Sequence, residues 1–158
     1  MNTTPNQTTL TAAQTVLRVV IGLLFVAHGA QKYFEWTIAG TQGAFAQMGI
    51  PLASMTAPAV ATLELVGGLL LVLGLFTRPV AALLVLNMLG AIFLVHVAAG
   101  VYVENGGYEL VLAFGAGAAA IALLGAGRLS LDHVLFGRRR AAADQTVVAE
   151  KQKVDAGA

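Results

Sequence analysis

In a chain as apolar as this one, a handful of side chains stand out as able to do chemistry. His28, Gln31 and Lys32 follow one another at helical spacing, so they project from neighbouring parts of one helix face. Glu64, His96 and Glu109 stand in later apolar stretches. Imidazoles, an amide, an ammonium and carboxylates are the groups that hydrogen-bond a polar ligand and move protons. A second set, Arg18, Arg78, Arg128 and Asp132, suits ion pairs and helix ends. With no cysteine, the chain has no disulfide, thiolate nucleophile or cysteine metal cluster. Two histidines on different helices suit a b-type haem, or with Glu64 a metal ion. No local ligand-pair motif accompanies them, so neither haem nor metal is expected.

These residues sit in a chain of 158 residues, 58% hydrophobic and 11% charged, with mean hydropathy +0.79. An ordinary soluble domain carries about 25% charged residues, so a soluble enzyme is disfavoured. A net charge of +1 does not suit nucleic acid. Four apolar runs approach the roughly 20 residues needed to cross a bilayer, at 15–33, 57–76, 79–101 and 107–125. Pro58 falls in the first turn of the second, Pro79 opens the third, and Gly125 and Gly127 close the fourth. The expected fold is an all-α integral membrane four-helix bundle over 15–136. A polar leader at 1–14 and a charged cytoplasmic tail at 137–158 are expected to be mobile. A cleaved signal peptide is the competing reading of the first run, with Arg18 as its basic region, but the leader lacks Lys and Arg.

Orientation follows from the cations near the helix ends. Arg18, Arg78, Arg128, Arg138, Arg139, Arg140, Lys151 and Lys153 fall on one side and only Lys32 on the other. The positive-inside rule places both termini in the cytoplasm, in a multi-pass protein of a prokaryotic inner membrane. At 1.5 Å per residue, His28, Glu64 and His96 then share a layer about 8–10 Å below the outer face, with Glu109 nearer the surface. A carboxylate at the depth of Glu64 is costly unless paired, protonated or facing a water-filled cavity. Its two readings are a functional cavity and a structural ion pair with Lys32 or a histidine. Gly67 and Gly68, one turn on, allow another backbone to approach closely. In the inner layer Arg78 and Arg128 complement the helix ends they follow, and Arg18 is expected to pair with Asp132. Asn87 lies nine residues before His96, about 180° around an ideal helix, so the two are not expected to share a face. His28, Glu64 and Arg78 faintly echo His96, Glu109 and Arg128, the pattern of an internal duplication.

Three stretches, LRVVIGLLFVAHGAQK (17–32), ELVGGLLLVLGLFTRPVA (64–81) and GGYELVLAFGAGAAAIALLGAGRLSLDHVL (106–135), together with FAQMGIP (45–51), resemble the DoxX family of small four-helix membrane proteins. The HG-x-x-K element and the closing G-R-x-S-L-D carry most of the specificity. The resemblance implies a quinone-linked redox role, since the family is similar to the membrane subunit of thiosulfate:quinone oxidoreductase. It also extends to assembly factors and cargo receptors. The residues carried over are Arg18, His28, Lys32, Glu64, Arg78, Glu109, Arg128 and Asp132. Tyr33-Phe34-Glu35-Trp36 departs from the shorter glycine-containing turn usual after the lysine, which alters the outer rim of any pocket.

The leading expectation is a quinone-binding module in which His28, Gln31, Lys32, Glu64, His96 and Glu109 form the polar site and Tyr33, Phe34 and Trp36 wall the headgroup. No flavin, nicotinamide or iron–sulfur motif is present, so electrons are expected to come from a partner subunit. The alternative is a non-enzymatic scaffold or homo-oligomer whose small residues Gly115, Ala118, Ala119 and Ala122 bind other helices. A lesser one is a small-solute or proton carrier.

Overall fold

A computed structural model describes residues 6–137. The start of the leader and almost all of the tail, with Arg138, Arg139, Arg140, Lys151 and Lys153, lie outside the described residues. Among the described residues the elements are all helical. Helix α1 (Gln7–Ala30) passes into a π-helical turn (Gln31–Glu35), and α2 (Thr37–Gln47) follows. Helix α3 (Ala53–Leu73) leads to α4 (Thr77–Ala91), which continues through a π-helical turn (Ile92–His96) and a 3-10 turn (Val97–Ala99). After a second 3-10 turn (Val103–Asn105) come α5 (Glu109–Leu124) and a terminal helix α6 over 131–137.

The bundle expected from the apolar runs is present. The segments Gln7–Glu35, Ala53–Leu73 and Thr77–Ala99 are long and apolar enough to span a membrane. The fourth, α5, has 16 residues, about 24 Å at 1.5 Å per residue, and calls for some local thinning of a 30 Å core. Many leucines and valines point outward from all four, the surface expected of a protein solvated by lipid.

Several boundaries differ from the expected ones. Helix α1 starts at Gln7 rather than 15, so the second half of the expected leader is ordered. The Asn6 side chain caps it by accepting the Thr8 N–H at 3.1 Å, and Gln14 Nε2 donates to the Leu124 carbonyl at 3.1 Å. Helix α3 starts at Ala53, which puts Pro58 inside it. Proline has no N–H to offer the Ser54 carbonyl one turn back, and Gln42 of α2 takes that carbonyl instead, at 2.8 Å. Helix α2 itself occupies the stretch between 34 and 56, expected only as a connection.

Two close pairings build the bundle, α1 along α3 and α4 along α5. The first is a glycine seam. A Cβ on Gly22 would stand 2.8 Å from the Gly68 carbonyl oxygen, and one on Gly68 would stand 2.6 Å from the Gly22 oxygen. Gly29 lies equally tightly against the backbone of Leu65. Gly115, Ala118 and Ala122, which would suit docking of foreign helices, are used inside the bundle. Gly115 faces Met88, Ala118 is fully buried, and Ala122 packs on the core of Phe25, Leu71, Leu84, Phe114 and Ile121.

The inner end is locked by the segment before α6. The Asp132 N–H donates to the Gly74 carbonyl at 2.8 Å, and its carboxylate accepts the N–H groups of Phe76 (2.8 Å) and Thr77 (2.9 Å) at the start of α4. Phe76 holds a left-handed φ of 49°, a strained conformation for an aromatic residue that this grip offsets. Arg18 does not pair directly with Asp132. Its guanidinium, 2% exposed, donates to the Leu71 carbonyl at 2.9 Å, to Val72, and to Leu129 at 2.5 Å. It thus closes the carbonyl end of α3, the role expected of Arg78. Arg78 Nη2 instead reaches Leu123 at the end of α5, at 3.3 Å, and Arg128 is exposed. The fork geometry of a buried arginine reaches several carbonyls from different elements at once, which sequence spacing does not display.

Candidate functional site

Three helices converge on Glu64. The seam of small residues brings α1 against α3, so that Lys32, in the π-helical turn after α1, reaches across. Its Nζ lies 2.5 Å from Glu64 Oε2, with the two side chains 12% and 6% exposed. Asn87 of α4 donates from Nδ2 to Glu64 Oε1 at 3.2 Å. Both carboxylate oxygens are thereby engaged, one by a cation and one by an amide, as burial of a charge requires. The ion pair, one of the two readings of Glu64, forms with Lys32, and the pair makes one polar patch on the wall of a cavity.

That cavity has a volume of about 540 Å³ and mostly apolar walls. Its polar lining comprises His28, Gln31, Lys32, Glu64, Asn87 and His96, with Thr56 and the Trp36 indole. Phe25, Phe45 and Phe114 supply aromatic walls, and the rings of Phe25 and Phe114 meet edge-on with centroids 5.5 Å apart. His28 stands edge-on to Phe114 at 5.1 Å. Its Nδ1 bonds the Leu24 carbonyl at 2.9 Å, and His96 Nδ1 bonds the Gly106 carbonyl at 2.6 Å. Among the described residues no group of three or more His, Asp or Glu side chains is disposed to hold a metal ion.

Five of the six residues expected to form the site, His28, Gln31, Lys32, Glu64 and His96, line this one cavity. Glu109 does not. Its Oε1 accepts the Val103 N–H at 2.7 Å and ties down the loop before α5. A carboxylate at a helix start is drawn to nearby free N–H groups, so the expected ligand role goes to a structural one. Asn87 and His96 share the cavity, contrary to the ideal-helix expectation. The π-helical turn at Ile92–His96 takes less rotation per residue than an α-helix and swings His96 round towards the side of Asn87. Of the three aromatics expected to wall a headgroup, only Trp36 lines the cavity. Phe34 is 80% exposed, and the Tyr33 hydroxyl bonds Thr62 Oγ1 at 2.6 Å.

Thr41 was missed by sequence reasoning. Fully buried on α2, it donates from Oγ1 to the Lys32 carbonyl at 3.2 Å and the Thr37 carbonyl at 2.9 Å. It therefore fastens the turn that aims Lys32. Its only signal in the sequence is a small hydroxyl residue in a connection, which predicts nothing by itself. The echo between His28–Glu64–Arg78 and His96–Glu109–Arg128 is not matched by function, since Glu64 and Glu109 do different things. What the two halves share is a π-helical turn at the outer end of their first helix.

The model of the DoxX family matches residues 13–97, which hold most of α1, all of α2 to α4 and every polar residue of the cavity wall. The chain belongs to the DoxX family. An uncharacterized protein of Haemophilus influenzae is 36% identical over 124 residues, 76% of this chain and 88% of that protein. The "Putative oxidoreductase CatD" of Bacillus subtilis is 35% identical over 121 residues, 77% of this chain and 85% of that protein. The inner membrane protein YphA of Escherichia coli is 31% identical over 81 residues, 51% of this chain and 56% of that protein. No solved structure matches the chain. The structure gives physical meaning to the two motifs on which the DoxX resemblance rests. In HG-x-x-K, Gly29 lets α1 touch α3 and Lys32 meets Glu64. In G-R-x-S-L-D, Ser130 Oγ donates to the Gly127 carbonyl at 2.6 Å and accepts the His133 N–H at 3.2 Å, while Asp132 caps α4.

Proposed function

We propose that this DoxX protein is the quinone-binding module of a membrane oxidoreductase system whose electrons come from a partner subunit. The observation that carries the reading is the cavity of about 540 Å³, within the range of small-molecule sites, with apolar and aromatic walls and one concentrated polar patch. The printed description of the Bacillus subtilis relative as an oxidoreductase points the same way. A quinone supplies a two-electron, two-proton couple when bound. The chain's own residues supply the rest. Phe25, Phe114 and Trp36 orient a flat ring and exclude water. Lys32, with one N–H on Glu64 and another towards the His28 carbonyl at 3.5 Å, keeps its third for a carbonyl oxygen in the cavity. Lys32 is placed to hand a proton to that oxygen on reduction and to regain one from water, and Glu64, bonded to Lys32 Nζ, holds the amine in position. Gly115, Ala118 and Ala122, on which the scaffold alternative relied together with Ala119, pack against the bundle's own helices.

The test is saturable binding of a decyl-tailed benzoquinone to the protein in lipid nanodiscs, followed by quenching of Trp36, the one tryptophan of the chain. Glu64→Gln and Lys32→Met, each checked for retained helical content, should weaken binding by tenfold or more. Absence of saturable quenching in the wild-type protein, or full quinone-dependent activity of both variants in the native complex, overturns the reading.

A further inference from the structure

The polar groups of the cavity differ in what they offer a ligand. His28 Nδ1 and His96 Nδ1 each face a backbone carbonyl, at 2.9 and 2.6 Å. A carbonyl only accepts, so each Nδ1 carries the hydrogen, and in the neutral ring Nε2 is then a bare lone pair. Neither Nε2 has a protein partner among the described residues, and both rings line the cavity. Asn87 is fixed in the same way. A carboxylate also only accepts, so Nδ2 faces Glu64 and Oδ1 is left as an acceptor. Three acceptors, from α1, α4 and the π-helical turn after α4, are thus set by bonds on their far sides. On the donor side stand the one N–H of Lys32 not engaged by Glu64 or the His28 carbonyl, the second N–H of Asn87 Nδ2, and the Trp36 indole. The Gln31 amide can turn either way.

From this inventory we infer that the cavity selects the two-hydroxyl, reduced form of an aromatic redox ligand over its dicarbonyl form. The inference rests on the quinone-site reading and deepens it. A diphenol donates two O–H bonds, which His28 Nε2 and His96 Nε2 on separate helices accept. A dicarbonyl ring of the same size offers neither donor and leaves the imidazole lone pairs facing an acceptor. The cavity also reaches Leu86 and Leu94, which are 64% and 56% exposed on a surface that faces lipid. An apolar tail on the ring can therefore leave through that side into the bilayer. Tighter binding of the reduced form makes the bound couple easier to reduce, which suits a site that takes electrons from a partner. A tenfold preference corresponds to about 30 mV for a two-electron couple.

The experiment is anaerobic calorimetric titration of the protein in nanodiscs with a decyl-tailed 1,4-benzohydroquinone, the matching benzoquinone, and the bis-methyl ether of the hydroquinone. The hydroquinone should bind about tenfold or more tightly than the quinone, and the ether no better than the quinone. His28→Ala and His96→Ala should each shrink the hydroquinone advantage while leaving quinone affinity within about twofold. Equal binding of hydroquinone and quinone overturns the inference and leaves the quinone site standing. An ether that matches the hydroquinone also overturns it, because the O–H groups then contribute nothing. Binding of none of the three removes both the inference and the site on which it rests.

Discussion

Alanine at Gly68 should push apart the two helices that carry Lys32 and Glu64, whereas alanine at the adjacent Gly67 should not. A Cβ at Gly68 would lie 2.6 Å from the Gly22 carbonyl oxygen and 2.7 Å from the Val26 nitrogen. Both are backbone atoms and neither can rotate away, so α1 must move off α3. A Cβ at Gly67 would lie 3.4 Å from Val80 Cγ1 and 3.5 Å from Leu63 Cδ1, which is ordinary contact. Both substitutions gain the same helix propensity of about 1 kcal/mol, so the difference between them isolates packing. Overpacking of this kind costs about 1–3 kcal/mol. The expected result is a Gly67→Ala variant as stable as the parent or up to about 1 kcal/mol more stable, and a Gly68→Ala variant about 1–3 kcal/mol less stable than the Gly67→Ala variant. Equilibrium unfolding in mixed micelles with increasing dodecyl sulfate, read by helical circular dichroism, measures both. The Gly68→Ala variant should also bind the decyl-tailed benzoquinone more weakly, although no polar group of the cavity has changed. Coincident unfolding curves for the two variants would refute the glycine seam as the element that sets the site.

Two further outcomes concern the inner end. Arg18→Lys should cost about 1–3 kcal/mol in the same unfolding assay, since an ammonium cannot span the carbonyls of Leu71, Val72 and Leu129 that the guanidinium reaches; parental stability would show that these bonds contribute nothing. Asp132→Ala should cost about 0.5–2 kcal/mol by freeing the Phe76 and Thr77 N–H groups, and Asp132→Asn less, because its one oxygen still accepts; an Asn variant as damaged as the Ala variant would mean that the charge, through Arg18, is what matters.

Much was legible in the chain before any coordinates. Four apolar runs near bilayer length can only be helices, because lipid offers no hydrogen-bond partner to an open backbone. That constraint is local, so composition and length suffice to state it. That His28, Glu64 and His96 lie at one level of the bundle, where they line one cavity, was legible for the same reason: position along a helix is a count of residues multiplied by a fixed rise.

Azimuth and partner choice were not legible. Whether Glu64 meets Lys32 depends on how closely α1 and α3 approach, which is set by Gly22, Gly29 and Gly68 meeting across the seam. Whether His96 shares a wall with Asn87 depends on a π-helical turn that departs from the ideal period used to place it. Arg18 and Asp132 look like a charge pair in one dimension. In three, each is consumed by backbone groups left free at helix ends, the carbonyls of α3 and the N–H groups of α4. The sequence by itself determined the solvent, the fold class and the level of the helices at which the polar groups gather, because these follow from periodicity and transfer free energy along a single chain. Only the tertiary structure decided which of those polar groups face one cavity and which close a helix end, because that choice belongs to contacts between residues far apart in the chain.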